Sequence, residues 1–206
     1  ESDRSGFWLG NPHADTLPRY HDYFGTSTLE QLQCKLGDDF RWITPQYMET
    51  TYRHPEGKGL FDIWKFKKSL GDPGPLAGCE SLEEVDAYDW PNLEYLDFTE
   101  CVNVLRNTGD YYRASGFWAP FFHDVMDIFG VEPFMTKVYS HPRVVHAVID
   151  HVCGFYYEAN ERFFKEAGPL IDAFFFGNDF GTQLNLMMSP KHYDEFIIPW
   201  VQRFAD

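Results

Sequence analysis

The segment Ile171-Asp172-Ala173-Phe174-Phe175-Phe176 restricts the fold more than any other part of the chain. Its apolar side chains fall on both faces of an extended backbone, as in a parallel strand covered by helices. Helical patterns flank it. Upstream, Val144, Val145, Val148, Ile149, Val152, Phe155, Tyr156, Ala159 and Phe163 recur at helical spacing, and Gly168-Pro169 ends that run. Downstream, Ser189-Pro190 supplies a cap and a first-turn proline for another helix. Strands separated by helices require a parallel sheet with right-handed crossovers.

The same alternation extends back to the start of the chain. Residues 7–10 (FWLG) read as a short buried strand. TSTLEQLQCKLG reads as a helix capped by Thr26, Ser27 or Thr28 and closed by Gly37. Residues 39–44 are a second strand stopped by Pro45, and residues 111–117 a third. Helices are expected from Ser81 to the Trp90-Pro91 stop, over 94–109, and over 119–129. The four expected parallel strands are therefore 7–10, 39–44, 111–117 and 171–176. Residues 46–80 depart from the pattern. They alternate Trp64 and Phe66 with Lys65 and Lys67, and are expected to form β-hairpins with an exposed loop at GDPGPLAG, inserted into a single domain spanning 1–206.

Composition excludes several function classes. A formal net charge of -15 repels nucleic acid phosphates and anionic membrane surfaces. No run reaches the roughly 18 apolar residues of a membrane span. The opening residues carry no basic-then-apolar signal pattern. The four cysteines, Cys34, Cys79, Cys101 and Cys153, are scattered without a CxxC pair, as expected of reduced thiols in a cytoplasmic protein.

In parallel α/β sheets ligands sit beyond the carboxyl ends of the strands. Gly10 to His13, Pro45-Gln46, Trp118 to His123 and Asn178-Asp179 all follow expected strands. Asp179 could hold a substrate N–H or orient a histidine, or simply close an Asx-turn. Asn178 has the same two readings. Asp39 reads as a buried acceptor or general acid/base, or as a strand-start residue. His123 and His13 could act near neutral pH. Gln183 could line the mouth or cap a turn, and Trp118 would wall it. Asp39, His13, His123, Asn178 and Asp179 are expected around one concave opening, walled by Phe7, Trp8, Trp118 and Phe180. Such walls suit a planar, partly apolar ligand.

The segment IDAFFFGNDFGTQLNLMMSPKHYDEFIIPWVQRF, with KLGDDFRWITP, SGFWAPFF and YSHPRVVHAVID before it, resembles the uroporphyrinogen decarboxylase superfamily. That group includes decarboxylases and methyltransferases that work with corrinoid proteins. The resemblance implies a (β/α)8 TIM barrel, incomplete at its C-terminus, since family members are longer. A barrel lacking its last strands leaves an open edge, which a longer protein or a second chain (a homodimer, for instance) would close. The resemblance sets Asp39 near the family's catalytic Asp, His123 at its site Tyr and Asn178 at its site Ser. Decarboxylases carry an Arg-rich loop after the first strand, and here that place reads GNPHAD. Methyl transfer to or from a corrinoid or thiol carrier is therefore the expected activity. A tetrapyrrole carboxy-lyase and a non-catalytic binding module are the alternatives. The small-molecule substrate is then a methyl donor or a tetrapyrrole. No cofactor is expected within the chain itself, and zinc and a corrinoid protein are implied for a methyltransferase. The pair His151-Val152-Cys153 spells a zinc motif but lies in a helix, where residues two apart diverge by about 200°.

Overall fold

The computed structural model, which describes residues 4–61 and 71–206, contains a three-stranded sheet among those residues. β1 (Phe40–Ile43), β2 (Tyr112–Ser115) and β3 (Ala173–Phe174) are all parallel, in the order β1-β2-β3. Phe40 pairs with Tyr112 and Ile43 with Ser115, and Ala114 and Ser115 pair with Ala173 and Phe174. Nine helices occur among the described residues: α1 (Leu17–Phe24), α2 (Leu29–Leu36), α3 (Leu82–Asp86), α4 (Thr99–Asn107), α5 (Phe121–Phe129), α6 (Val131–Ser140), α7 (Pro142–Ala167), α8 (Pro190–Phe196) and α9 (Ile198–Ala205). None of the described helices is long and apolar enough to cross a membrane.

The helices that the sequence marks most plainly have the expected ends. Thr28 caps α2 by accepting the Gln31 N–H, and Gly37 closes it in the left-handed region. Ser81 and Glu84 form a reciprocal capping box on α3. Ser189 accepts the His192 N–H at the start of α8. The long helix α7 buries Val144, Val145, Val148, Ile149, Val152, Phe155, Tyr156, Ala159 and Phe163 against α3, α5, α6 and α8.

The sheet has one covered and one open face. Arg41 and Ile43 are buried on the covered side. The Arg41 guanidinium forks onto the Glu30 carboxylate of α2 at 2.8 and 2.9 Å and lies 3.8 Å over the Tyr111 ring. Phe174 packs on Phe164 of α7 on that side. The other face carries Phe40, Trp42, Tyr112 and Phe175, with Tyr112 52% and Phe175 41% exposed. Trp8 covers part of it by packing on Phe40 at 4.6 Å.

Four expectations change. Residues 7–10 run beside β1 but are not a strand. The Asp39 carboxylate accepts the Phe7 N–H and the Asp38 carboxylate accepts the Leu9 N–H, so side chains take donors that a ladder would need. The parallel α/β reading holds as a three-stranded open sheet, and no closed barrel is formed by these residues. Two helices lacked a readable apolar stripe. α1 buries no side chain, and α6 follows Gly130 at its N-cap, with Pro133 in its first turn. The GDPGPLAG loop is packed rather than exposed: Leu76 and Cys79 are buried, and Gly74 and Leu76 donate to the carbonyls of Phe129 and Ile128 at the end of α5. The alternation from Ile63 to Lys67, on which the hairpin expectation rests, lies outside the described residues.

Candidate functional site

The carboxyl ends of the three strands are tied to one another by side chains. Thr44, just past β1, donates its hydroxyl to the Gly116 carbonyl at 2.7 Å. Ser115 of β2 donates to the Ile43 carbonyl. Beyond β2, the buried Asn160 of α7 acts as a substitute ladder partner. Its Oδ1 accepts the Phe117 N–H at 2.7 Å and its Nδ2 donates to the Phe117 carbonyl at 3.3 Å. The chain then turns through Ala119, which holds a positive φ of 54°, a strained conformation for a residue with a side chain. Asn178, past β3, secures that turn. It accepts the Phe122 N–H at 2.9 Å, at the open start of α5, and donates to the Ala119 carbonyl at 3.2 Å.

This bracing presents an aromatic opening. Trp42, Tyr47, Trp118 and Phe175 line a cavity of about 700 Å³ together with Asn11, Ile43, Thr44, Met48 and Val104. Three of the rings form a corner. Trp42 and Tyr47 stand 6.0 Å apart at 89°, Trp42 and Trp118 6.2 Å apart at 84°, and Tyr47 and Trp118 6.4 Å apart at 60°. Phe175 meets Trp42 at 5.5 Å. Among the described residues, no lining side chain carries a charge. The Trp42 Nε1–H is buried without an acceptor, a costly state unless a ligand supplies one.

Beside the opening lies one carboxyl of unusual acidity. Burial pushes Asp124, on the first turn of α5, up to about 7, and the neighbouring Asp127 adds to the rise. The Tyr156 hydroxyl donates to Asp124 Oδ2 at 2.6 Å and opposes that rise. Tyr156 itself is pushed well above its usual range, first by burial and then by Asp124. Tyr47 is also raised by burial and by Asp124, which places the Asp124 carboxyl within electrostatic reach of the opening.

The residues expected from sequence fall into two groups. Trp118 lines the opening, Asn178 braces it, and half-buried His123 lies next to Asp124 with a buried Nδ1 that has no partner. Asp39 is not with them. It precedes β1, at the amino end of the sheet and about 16 Å along the strand from the opening. There Arg4 holds it at 2.6 Å and, together with the Phe7 N–H, keeps its carboxyl below the usual range. Its misplacement follows from its position at the start of the strand, whose carboxyl end, not its amino end, opens on the site. Asp179 is exposed and accepts the Gly181 N–H at 3.3 Å, closing an Asx-turn. Gln183 is exposed on the loop closed by the Gly181–Leu186 bridge. His13 is exposed and accepts the Asp15 N–H, whereas Asn11, two residues earlier, reaches the cavity. Sequence reasoning missed Trp42, Tyr47, Asp124 and Tyr156. Signals existed for two of them: Tyr47 follows the Pro45-Gln46 strand exit, and Asp124 adjoins His123.

Among the described residues, no three His, Cys, Asp or Glu side chains come together as a metal set. His151 stacks on Trp90 at 4.4 Å while Cys153 is fully buried, so that pair diverges as its helix dictates.

No protein-family model matches the chain, and no curated protein does. Among solved structures it is similar to a methyltransferase from Methanosarcina mazei, with a TM-score of 0.50 and 17% identity over 91% of this chain. The chain spans 58% of the length of that methyltransferase. At this identity the likeness is one of fold.

Proposed function

We propose that the chain is part of a (β/α)8 barrel enzyme of the uroporphyrinogen decarboxylase superfamily, of the methyltransferase type, which moves a methyl group to or from a corrinoid or thiol carrier. The parallel order β1-β2-β3 with intervening helices, and the fold likeness to a methyltransferase, support the barrel and its class. The observation that carries the choice of reaction is the uncharged, aromatic lining of the opening. A tetrapyrrole carboxy-lyase must hold a polyanion, which calls for Arg or Lys at the site. Arg41 and Arg113 are instead engaged by Glu30 and Asp172, and Arg4 by Asp39 at the far end of the sheet. A methyl donor with apolar surface suits this lining.

The roles follow from position. Trp42, Tyr47 and Trp118 hold the donor, Asn178 keeps the α5 start in place, and Asp124 with His123 manages protons beside it. The described residues assemble no zinc set, so no step of the proposal runs through a metal held by them. A corrinoid protein is the proposed partner, and the four unpaired cysteines are in keeping with a reducing, cytoplasmic compartment.

The test is methyl transfer by protein expressed from its complete gene. Methylcobalamin and a free thiol are mixed with it, and thioether formation is followed. Thioether formation that falls at least about tenfold in Trp118→Ala supports the reading. Release of carbon dioxide from a porphyrinogen, with no thioether formed, sinks it in favour of the carboxy-lyase.

A further inference from the structure

Trp42 stands nearly at right angles to both Tyr47 and Trp118, and Tyr47 and Trp118 are inclined at 60°, beside a cavity with no charged lining residue among the described residues. Aromatic rings that wall an uncharged cavity offer electron-rich faces, which attract an alkylated cation. We propose that the opening is a binding site for a small methylated onium ion, a quaternary ammonium, with Asp124 as its counter-charge. This rests on the methyl-transfer reading and names its donor.

Three observations converge on that ligand class. Among the described residues, the lining carries no Lys or Arg to repel a cation. The chain's formal charge of -15 concentrates cations near its surface. The Trp42 Nε1–H has no acceptor, so a ligand with a hydroxyl or carboxylate oxygen would satisfy it. The chemistry balances with a thiolate carrier. Its sulfur lone pair forms the new S–C bond, and the C–N bond of the onium breaks with its electron pair staying on nitrogen. A thioether and a neutral tertiary amine leave. The product has lost the charge that the aromatic faces hold, which favours its release.

Asp124 couples this site to pH. The groups that face it are Tyr156 and Cys153 of α7, Tyr47 after β1, and Asp127 on its own helix. The tyrosines and the thiol are all pushed toward their neutral forms, so Asp124 is the group that changes charge near neutrality. A cation close by favours its ionised form. Affinity therefore rises as pH increases toward about 7, and binding below that releases a proton.

The experiment is calorimetric titration of the full-length protein with choline and with its neutral isostere 3,3-dimethylbutan-1-ol. Choline is expected to bind more than about tenfold tighter than the isostere, and Trp118→Leu to remove most of that preference. In the wild type, choline affinity should increase from about pH 6 to about pH 8, and Asp124→Asn should flatten that profile. Equal affinities for choline and the isostere, or no choline binding by folded protein, overturn the proposal. Methyl transfer without choline binding removes only the onium site. Choline binding with no transfer to any carrier keeps the site and removes the methyl-transfer reading.

Discussion

Asp124 carries opposing demands in one side chain. Its carboxyl is raised to about 7 by burial, so the folded protein holds a proton there that the unfolded chain releases above about pH 4. A raised carboxyl contributes stability below the unfolded value, and that contribution is lost as pH rises through the folded value. Asp124→Asn keeps an acceptor for Tyr156 and removes the charge. Its melting temperature should exceed that of the wild type at about pH 8, and the gap should close toward about pH 5. A gap independent of pH would show that Asp124 is not the buried titrating group. The candidate site was legible at this scale only where a residue follows a strand. Trp118 and Asn178 were found that way. Asp124 and Tyr156 were not, because their pairing joins α5 to α7 across 32 residues, and no local spacing records it. Asp39 misled because a strand-start carboxylate and a strand-end carboxylate look alike until the register is known.

Elements with chemical punctuation at their ends were readable, and elements held by distant partners were not. Thr28 with Gly37, Ser81 with Glu84, and Ser189 with Pro190 are local signals; α2, α3 and α8 begin on them, and α2 also ends on one. Residues 7–10 have the composition of a strand, but the Asp38 and Asp39 carboxylates take their N–H groups. The exit of β2 likewise depends on a residue far away, Asn160 of α7. Asn160→Ala leaves the buried N–H and carbonyl of Phe117 without partners, and should cost about 2–4 kcal/mol in urea unfolding. A loss under about 0.5 kcal/mol would mean that water replaces the clamp. The 71–79 loop makes a second such dependence. A Cβ on Gly74 would stand 2.2 Å from the Asp127 and Ile128 carbonyl oxygens, so Gly74→Ala forces the loop off the end of α5. A destabilisation of about 1–3 kcal/mol is expected, with wild-type stability the outcome that contradicts the packing.

For the molecule as a whole, the parallel order and the helical layer were legible from the alternation of periods, whereas the extent of the sheet was not. Double-sided apolarity in IDAFFF marks a strand buried on both faces, yet Phe175 is 41% exposed and Tyr112 52% exposed on the open side. The apolar pattern thus records a covering that the described residues do not supply. Among the described residues, β2 is paired on both sides and β3 with β2 alone. Hydrogen exchange can read this asymmetry directly. With these 206 residues alone, the Ala114 and Ser115 amides should exchange slowly, and those of Phe175 and Phe176 within the fast class of exposed loops. In protein from the complete gene, the barrel reading requires the Phe175 amide to join the slow class, because Asp172 donates toward β2, so by alternation Phe175 faces the other edge of β3, which a further parallel strand would take. Fast exchange there in both forms would leave the sheet open and remove the barrel. Slow exchange in the 206-residue form that disappears on dilution would instead assign the edge to a second copy of the chain.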